Sequence, residues 1–338
     1  MIIQAPFSRD EIYSEIQLIT IEDGDMKASF TNYGATLVSL IVKDMNGKDV
    51  DVCLGFDSIE GYLSQDAYIG GVVGRYANRI KNGEFVLNDR RYVLYKNDGA
   101  NHLHGGLKGF DKQIYNYKAE GSKVIFFRTS EDGEEGYPGN VDLTITYQLM
   151  NNTLYLWYDA ESDRDTLFNP SLHAYFNFTG EDTIKNHYLT LPYGTAYTPC
   201  DKNNIPTGEI KSVFGTPFDF TKKKMIGADI SSPELEARRG YDHNFVIKDS
   251  GFRQMAEVIG GNGIKMLLLS DMPGLQVYTG NYLCGYKGKG GKVYGQYAGL
   301  ALEPQFYPDS PNKEAFPSSV LKAYHHVTYH NSYVFEII

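Results

Sequence analysis

The chain has 338 residues, enough for about two average domains, yet all-β sandwiches and barrels often exceed that size undivided. No linker, charge block or repeat of solenoid period interrupts it, which favours one domain over 1–338. A net charge of −10 and a pI near 5.3 repel nucleic acid and anionic membranes, and leave a neutral small molecule as the better-matched partner.

Residues 1–15, which include Arg9, Asp10, Glu11 and Glu15, lack the apolar core of a signal peptide or a membrane span. No later apolar run reaches spanning length, so a cytoplasmic location is expected. Segments 35–42 and 50–54 read as strands, and Ser58 precedes a helix of a turn or two over 59–63. Gly74-Arg75-Tyr76-Ala77-Asn78-Arg79-Ile80 brings a guanidinium fork and the Asn78 amide together, a pairing suited to sugar hydroxyls or a carboxylate. A surface salt bridge is the plainer alternative for Arg75. Segment 84–94 reads as a further strand. Asn101-His102-Leu103-His104-Gly105-Gly106 sets two imidazoles on one face of an extended stretch, followed by glycines that let a ligand or another backbone come close. Acid/base work, an inconsequential turn and a zinc pair remain open there, with no nearby Cys or third ligand to support zinc.

Segment 124–128 is β-rich, and 141–149 alternates apolar and polar residues without a fault, the pattern of a half-buried antiparallel strand. The turn at Met150-Asn151-Asn152 leads into 153–159, which predicts a hairpin. In Asn169-Pro170-Ser171-Leu172-His173-Ala174-Tyr175-Phe176-Asn177-Phe178, alternation groups His173 with Ser171, Tyr175 and Asn177, companions able to fix its tautomer. A satisfied core histidine is the competing reading.

Segment 188–191 is another strand, and Ser232-Pro233-Glu234-Leu235-Glu236-Ala237 carries a cap, a first-turn proline and Gly240 beyond it, supporting a second short helix. Asp242, in Gly240-Tyr241-Asp242-His243-Asn244-Phe245, is a ligand candidate or an Asx-turn residue. Strands follow at 264–269 and 275–278, and Gln276 and Tyr278 share a face suited to a polyol. Gly285-Tyr286-Lys287-Gly288-Lys289-Gly290-Gly291-Lys292 matches no phosphate-loop spacing and reads as a solvated hairpin loop. Glu303 ends the apolar run Gly299-Leu300-Ala301-Leu302 and enters Pro304-Gln305-Phe306-Tyr307-Pro308, which is expected to stop the strand and hold the carboxylate where a general base is needed. A strand-end ion pair would also explain it. His325, His326 and His330 read as exposed, and 333–338 closes the chain as a strand.

Cys53, Cys200 and Cys284 are odd in number and widely spaced, as reduced thiols would be. Many strands and no helix long enough to cover a core leave a large sandwich or a barrel, with function at strand ends or on a concave sheet face.

Together these segments resemble the aldose 1-epimerase, or galactose mutarotase, family. The likeness starts at Tyr33-Gly34-Ala35-Thr36-Leu37-Val38-Ser39-Leu40 and runs through Gly55-Phe56-Asp57, 73–80, 101–106, Gly109-Phe110-Asp111-Lys112, 133–140, 173–178, 240–245, Val277-Tyr278-Thr279-Gly280-Asn281 and 302–312. It covers nearly the whole chain in the family's order. The resemblance implies an all-β fold, a large twisted antiparallel β-sandwich of the galactose mutarotase-like supersandwich type with few short helices. It implies interconversion of the α and β anomers of free aldohexoses such as galactose and glucose, without metal or cofactor, by a monomer or homodimer.

Carried over by motif, Glu303 resembles the general base, His173 the general acid at the ring oxygen, and His104 the second essential imidazole. Arg75 and Asp242 match sugar-hydroxyl ligands, with Asn78, Gln276 and Tyr278 as further groove candidates. An ionised Glu303 and a His173 near its ordinary pKa are expected. Three departures stand out: Phe306 where the family carries His, Tyr115 where Trp is common, and Lys322-Ala323-Tyr324-His325-His326 in place of an Arg-Pro-Gly-Glu-type segment. Phe306 is expected to bear on sugar preference because it lies near Glu303 in sequence. A non-catalytic sugar-binding or sensing module on the same fold is the alternative, and a glycoside hydrolase pairing Glu303 with Asp242 is a third reading.

Overall fold

Alternation along Val141–Met150 and Thr153–Ser162 becomes the central hairpin of a nine-stranded antiparallel sheet in a computed structural model that describes residues 2–8 and 10–338. Met1 and Arg9, part of the N-terminal segment considered above, lie outside the described residues. The register runs from Val141 opposite Ser162 to Met150 opposite Thr153. Asn151 and Asn152 both take positive φ (52° and 59°), as a hairpin turn matched to the strand twist requires. Leu143, Ile145, Tyr147 and Leu149 point inward beside Leu154, Leu156 and Tyr158, all buried.

Val327–Ile337 pairs with the hairpin's second strand and then with Ile264–Ser270, extending the sheet on that side. A five-stranded sheet from Ile2–Pro6 to Asp49–Asp51 and a six-stranded sheet complete the main framework. One core cluster joins Ile19, Phe30 and Leu37 of the first sheet to Ile145 and Leu156 of the second and Leu275 and Leu302 of the third. Each such side chain stabilises the fold by about 1.5–3 kcal/mol through burial. The two α-helices among the described residues, Ile59–Leu63 and Pro233–Glu236, are short, and none is long and apolar enough to cross a membrane.

The six-stranded sheet positions the site. Its order is Tyr175–Phe176, Leu300–Gln305, Gly274–Tyr278, Asp242–Ile247, Gly194–Tyr197 and Lys211–Ser212. Leu300 and Leu302 face the core, so Ala301, Glu303 and Gln305 face the other way. Residues opposite each other across a ladder share a face. Tyr175, Ala301, Tyr278 and Asp242 therefore form one row, and Glu303, Gln276 and Asn244 the next.

Three local expectations change. Segment 84–94 is two strands, Glu84–Leu87 and Arg90–Val93, because Asn88 and Asp89 adopt left-handed backbone and turn the chain. The strand carrying Glu303 continues through Pro304 to Gln305. Pro304 keeps extended backbone, and its carbonyl accepts a bond from the Ser171 hydroxyl at 3.0 Å. Segment 285–292 does form a hairpin, but Lys289 is not solvated: its ammonium lies 2.6 Å from the Asp51 carboxylate and donates to the Val38 carbonyl.

Candidate active site

Glu303 sits mid-strand opposite Gln276 of the neighbouring strand, 1% exposed, at the floor of a cleft of ≈ 280 Å³. His173 enters from the gap between the short strands Ser171–Leu172 and Tyr175–Phe176 and brings Nε2 to 3.7 Å from Glu303 Oε1. Its backbone is laced to the turn at residues 68–71, donating to the Gly71 carbonyl at 2.9 Å and accepting from Gly70 N at 3.0 Å. The expected companions do not fix its ring. Ser171 bonds Pro304, the Asn177 amide bonds the Glu181 and Ala298 carbonyls, and His173 Nδ1 has no hydrogen-bond partner among the described residues.

His104 approaches from the opposite wall on left-handed backbone (φ 50°), followed by Gly105 at 90° and Gly106 at 104°. Gly105 makes room for another backbone, since a Cβ there would lie 1.7 Å from the Gly74 carbonyl oxygen, and Gly106 makes room for the Glu135 side chain. Glu135 clamps the same loop by accepting from Leu107 N and Lys108 N. Asn78 N donates to His104 Nδ1 at 3.1 Å, which fixes the neutral ring with its proton on Nε2. His102 does not share this face. It is buried between the Tyr95 carbonyl and the Tyr137 hydroxyl, so the His-x-His pair is split.

Asn78, Asp242 and Tyr278 line the cleft with Glu303, His173 and His104. Gln276 stands behind them and donates to Asp242 Oδ1 at 2.6 Å, holding that carboxylate in place. Arg75 does not reach the cleft. It is 2% exposed, and its guanidinium donates to Ser130, Pro138, Thr166 and Glu131 in a buried cage. The guanidinium in the cleft belongs to Arg79, held by Asp98 at 2.7 Å. Phe306 and Tyr115 are also remote from the cleft lining. Phe306 packs on the Tyr329 ring at 5.8 Å, and Tyr115 is buried in the main core.

Burial sets the protonation. It drives the Glu303 carboxyl well above the ordinary range, the Asp242 charge adds to this, and the Arg79 charge opposes it. Burial also pushes His173 down to about 4 and His104 well below its ordinary value, the latter with help from His173 and Arg79. Burial thus disfavours both charged forms, working against the ionised carboxylate and ordinary imidazole expected from the sequence and toward a carboxylic acid beside a neutral imidazole. Moving a proton from the carboxyl to the imidazole would give carboxylate and imidazolium without changing the net charge of the pair. His104, His173 and Glu303 also present ligand atoms within 4.8 Å of one another, a His/His/Glu set of the kind that can hold zinc.

The family model described as aldose 1-epimerase matches residues 17–333. The chain belongs to the aldose 1-epimerase family. It is similar to galactose mutarotase of Bos taurus, 39% identical over 322 residues with 93% of each chain covered. Aldose 1-epimerase of Escherichia coli strain K12 is 35% identical over 309 residues, with 89% of each covered. Among solved structures, the GalM/aldose epimerase homologue from C. elegans has a TM-score of 0.90 at 30% identity, covering 96% of this chain and 99% of that one. Galactose 1-epimerase from Lactobacillus acidophilus NCFM has a TM-score of 0.86 at 28% identity, covering 100% and 99%. As a member of this family the chain is an isomerase with the galactose mutarotase fold.

Sequence reasoning on this epimerase missed Arg79, Tyr68, Tyr175, Asp66, Tyr282 and Tyr286, which also line the cleft. Arg79 directly follows Asn78 and shares its motif with Arg75, and sequence alone does not separate the two arginines. Nor does it single out the tyrosines, because a chain with 27 of them gives no local reason to choose these.

Proposed function

We propose that the protein interconverts the α and β anomers of free aldohexoses such as galactose and glucose by general acid/base ring opening and closure. The observation that carries this reading is the buried Glu303–His173 pair, 3.7 Å apart on the floor of a monosaccharide-sized cleft, a pair that can share one proton. With that proton on His173, Glu303 takes the proton of the anomeric hydroxyl while His173 protonates the ring oxygen and the bond from C1 to that oxygen breaks. Rotation about C1–C2 turns the aldehyde. Closure then returns one proton from the new hydroxyl to His173 and one from Glu303 to the carbonyl oxygen.

Both groups end as they began, and no reagent is consumed. His104, with Nε2–H directed by the Asn78 contact at Nδ1, can donate to a sugar oxygen near His173. Asn78, Arg79, Asp242 and Tyr278 would hold the remaining hydroxyls, and Gln276 would act on them through Asp242. The net charge and three free thiols support a cytoplasmic protein acting on a neutral sugar.

Polarimetry of freshly dissolved α-galactose and α-glucose tests the proposal. Catalytic amounts of protein should bring the optical rotation to equilibrium faster than buffer alone. Sugar binding with rotation drifting at the buffer rate would instead make the protein a binding module.

A further inference from the structure

The proposed chemistry uses the cleft floor but leaves Tyr68 unexplained. Its backbone is left-handed (φ 56°), a conformation costly for an aromatic residue and one that persists only where surrounding structure enforces it. Several bonds enforce it. Gln65 Oε1 accepts from Ala67 N and Ile69 N, the Tyr175 hydroxyl donates to the Ala67 carbonyl, and Gly71 N closes the turn onto the Tyr68 carbonyl. Gly70 and Gly71 of this turn are the two residues that hold the His173 backbone.

The Tyr68 ring makes tilted contacts with both imidazoles, with centroids 4.6 Å from His104 and 5.9 Å from His173, while those two are 5.2 Å apart. Among the described residues its hydroxyl has one contact, at 3.5 Å from the Asn97 amide, and the Lys112 ammonium stands 5.6 Å from the ring centroid. The contact that matters is the ring.

We propose that Tyr68 is a positioning residue whose aromatic ring, clamped by a strained turn, shields His104 and His173 from water and fixes their separation. This rests on the acid/base reading above for its catalytic meaning, but the shielding is a property of the fold. The charged and titratable neighbours of the two imidazoles are Glu303 and Arg79 from the strands, Tyr175 and Tyr278 packed on His173, Lys112 from the adjacent turn, and His102 from the neighbouring loop. Tyr175 and Tyr278 cover part of His173, with centroids at 4.9 Å and 6.3 Å, but among the described residues Tyr68 is the tyrosine whose ring contacts both imidazoles. Removing the ring admits water to both.

The test follows the His104 and His173 ring protons by NMR titration in the wild type and in Tyr68→Phe, Tyr68→Ala and Tyr68→Gly, alongside polarimetric kcat and KM. Tyr68→Gly also releases the backbone strain, so it covers the case in which the alanine variant folds poorly. Tyr68→Phe is expected to keep wild-type titration and kcat. Tyr68→Ala and Tyr68→Gly should move both imidazole midpoints up toward the ordinary value and lower kcat by about 10²-fold, with a much smaller effect on KM. Unchanged midpoints in Tyr68→Gly overturn the proposal. So does a Tyr68→Phe variant as impaired as Tyr68→Ala, which would assign the role to the hydroxyl. A wild type that fails to accelerate mutarotation would contradict the proposed function, while the titrations would still decide the role of Tyr68.

Discussion

Arg75 and Arg79 lie in one short motif, and the structure gives them opposite tasks. Burial lowers the Arg75 guanidinium to about 10, and four backbone and side-chain partners surround it, so it binds loops to each other rather than a ligand. Arg75→Lys cannot reproduce that fork and should cost about 2–4 kcal/mol of stability in a denaturant titration, with the KM for sugar unchanged. An intact melting curve with a raised KM would restore Arg75 to the binding site. Sequence could name a guanidinium for the cleft but could not choose between two in the same motif, because the choice depends on which faces the Glu303 strand. Glu303, His173 and His104 were legible because each sits in a distinctive motif. Their protonation was not, since desolvation depends on what packs around them. Phe306 stands at a bend just past the end of the strand that carries Glu303, and its ring packs on Tyr329 instead of entering the cleft, a turn of the chain that sequence proximity to Glu303 did not reveal.

At the scale of elements, two rigid pieces meet at the cleft: the strand Leu300–Gln305 and the loop carrying His104. Gly105→Ala would place a Cβ against the Gly74 carbonyl at a positive φ that alanine disfavours. It should destabilise the fold by about 3 kcal/mol and, by shifting His104, reduce kcat about 10²-fold even in the folded fraction. Parallel thermal melts and rate measurements check this, and a variant with wild-type melting and rate would show that the loop does not position His104. The glycine pair signalled close approach in the sequence without saying what approaches. That answer required the fold, which brings residues 74 and 105 together from separate segments. Likewise, the proline after Glu303 reads as a strand stop, whereas the Ser171 hydroxyl and a paired neighbour strand let the strand run through it.

Across the whole molecule, the sandwich was readable from its faultless alternation and turn residues, and the structure adds an unusual store of buried neutral histidines. Burial holds His102, His173 and His187 at about 4 and His243 at about 3, with His104 also low. Between those values and about 6.5 the unfolded chain binds protons that the folded chain refuses, so stability falls as pH falls through that window. The buried carboxyls of Asp111, raised by burial to about 7, and Glu303 act in the opposite sense and offset part of the slope. The melting midpoint should therefore drop between about pH 6.5 and about pH 4.5. His187→Gln, remote from the cleft, should flatten the dependence by up to about 1.4 kcal/mol per pH unit. A midpoint independent of pH over that range would contradict the buried-neutral assignment.

The account depends most on Glu303 and His173 exchanging protons with one sugar, and the Glu303→Gln variant tests this with the least change of shape. Followed by polarimetry on fresh α-galactose at equal protein concentration, its rate should fall by about 10²–10⁴-fold while sugar binding by calorimetry persists. A Glu303→Gln protein that equilibrates the anomers as fast as the wild type would contradict the assignment of Glu303 as the base.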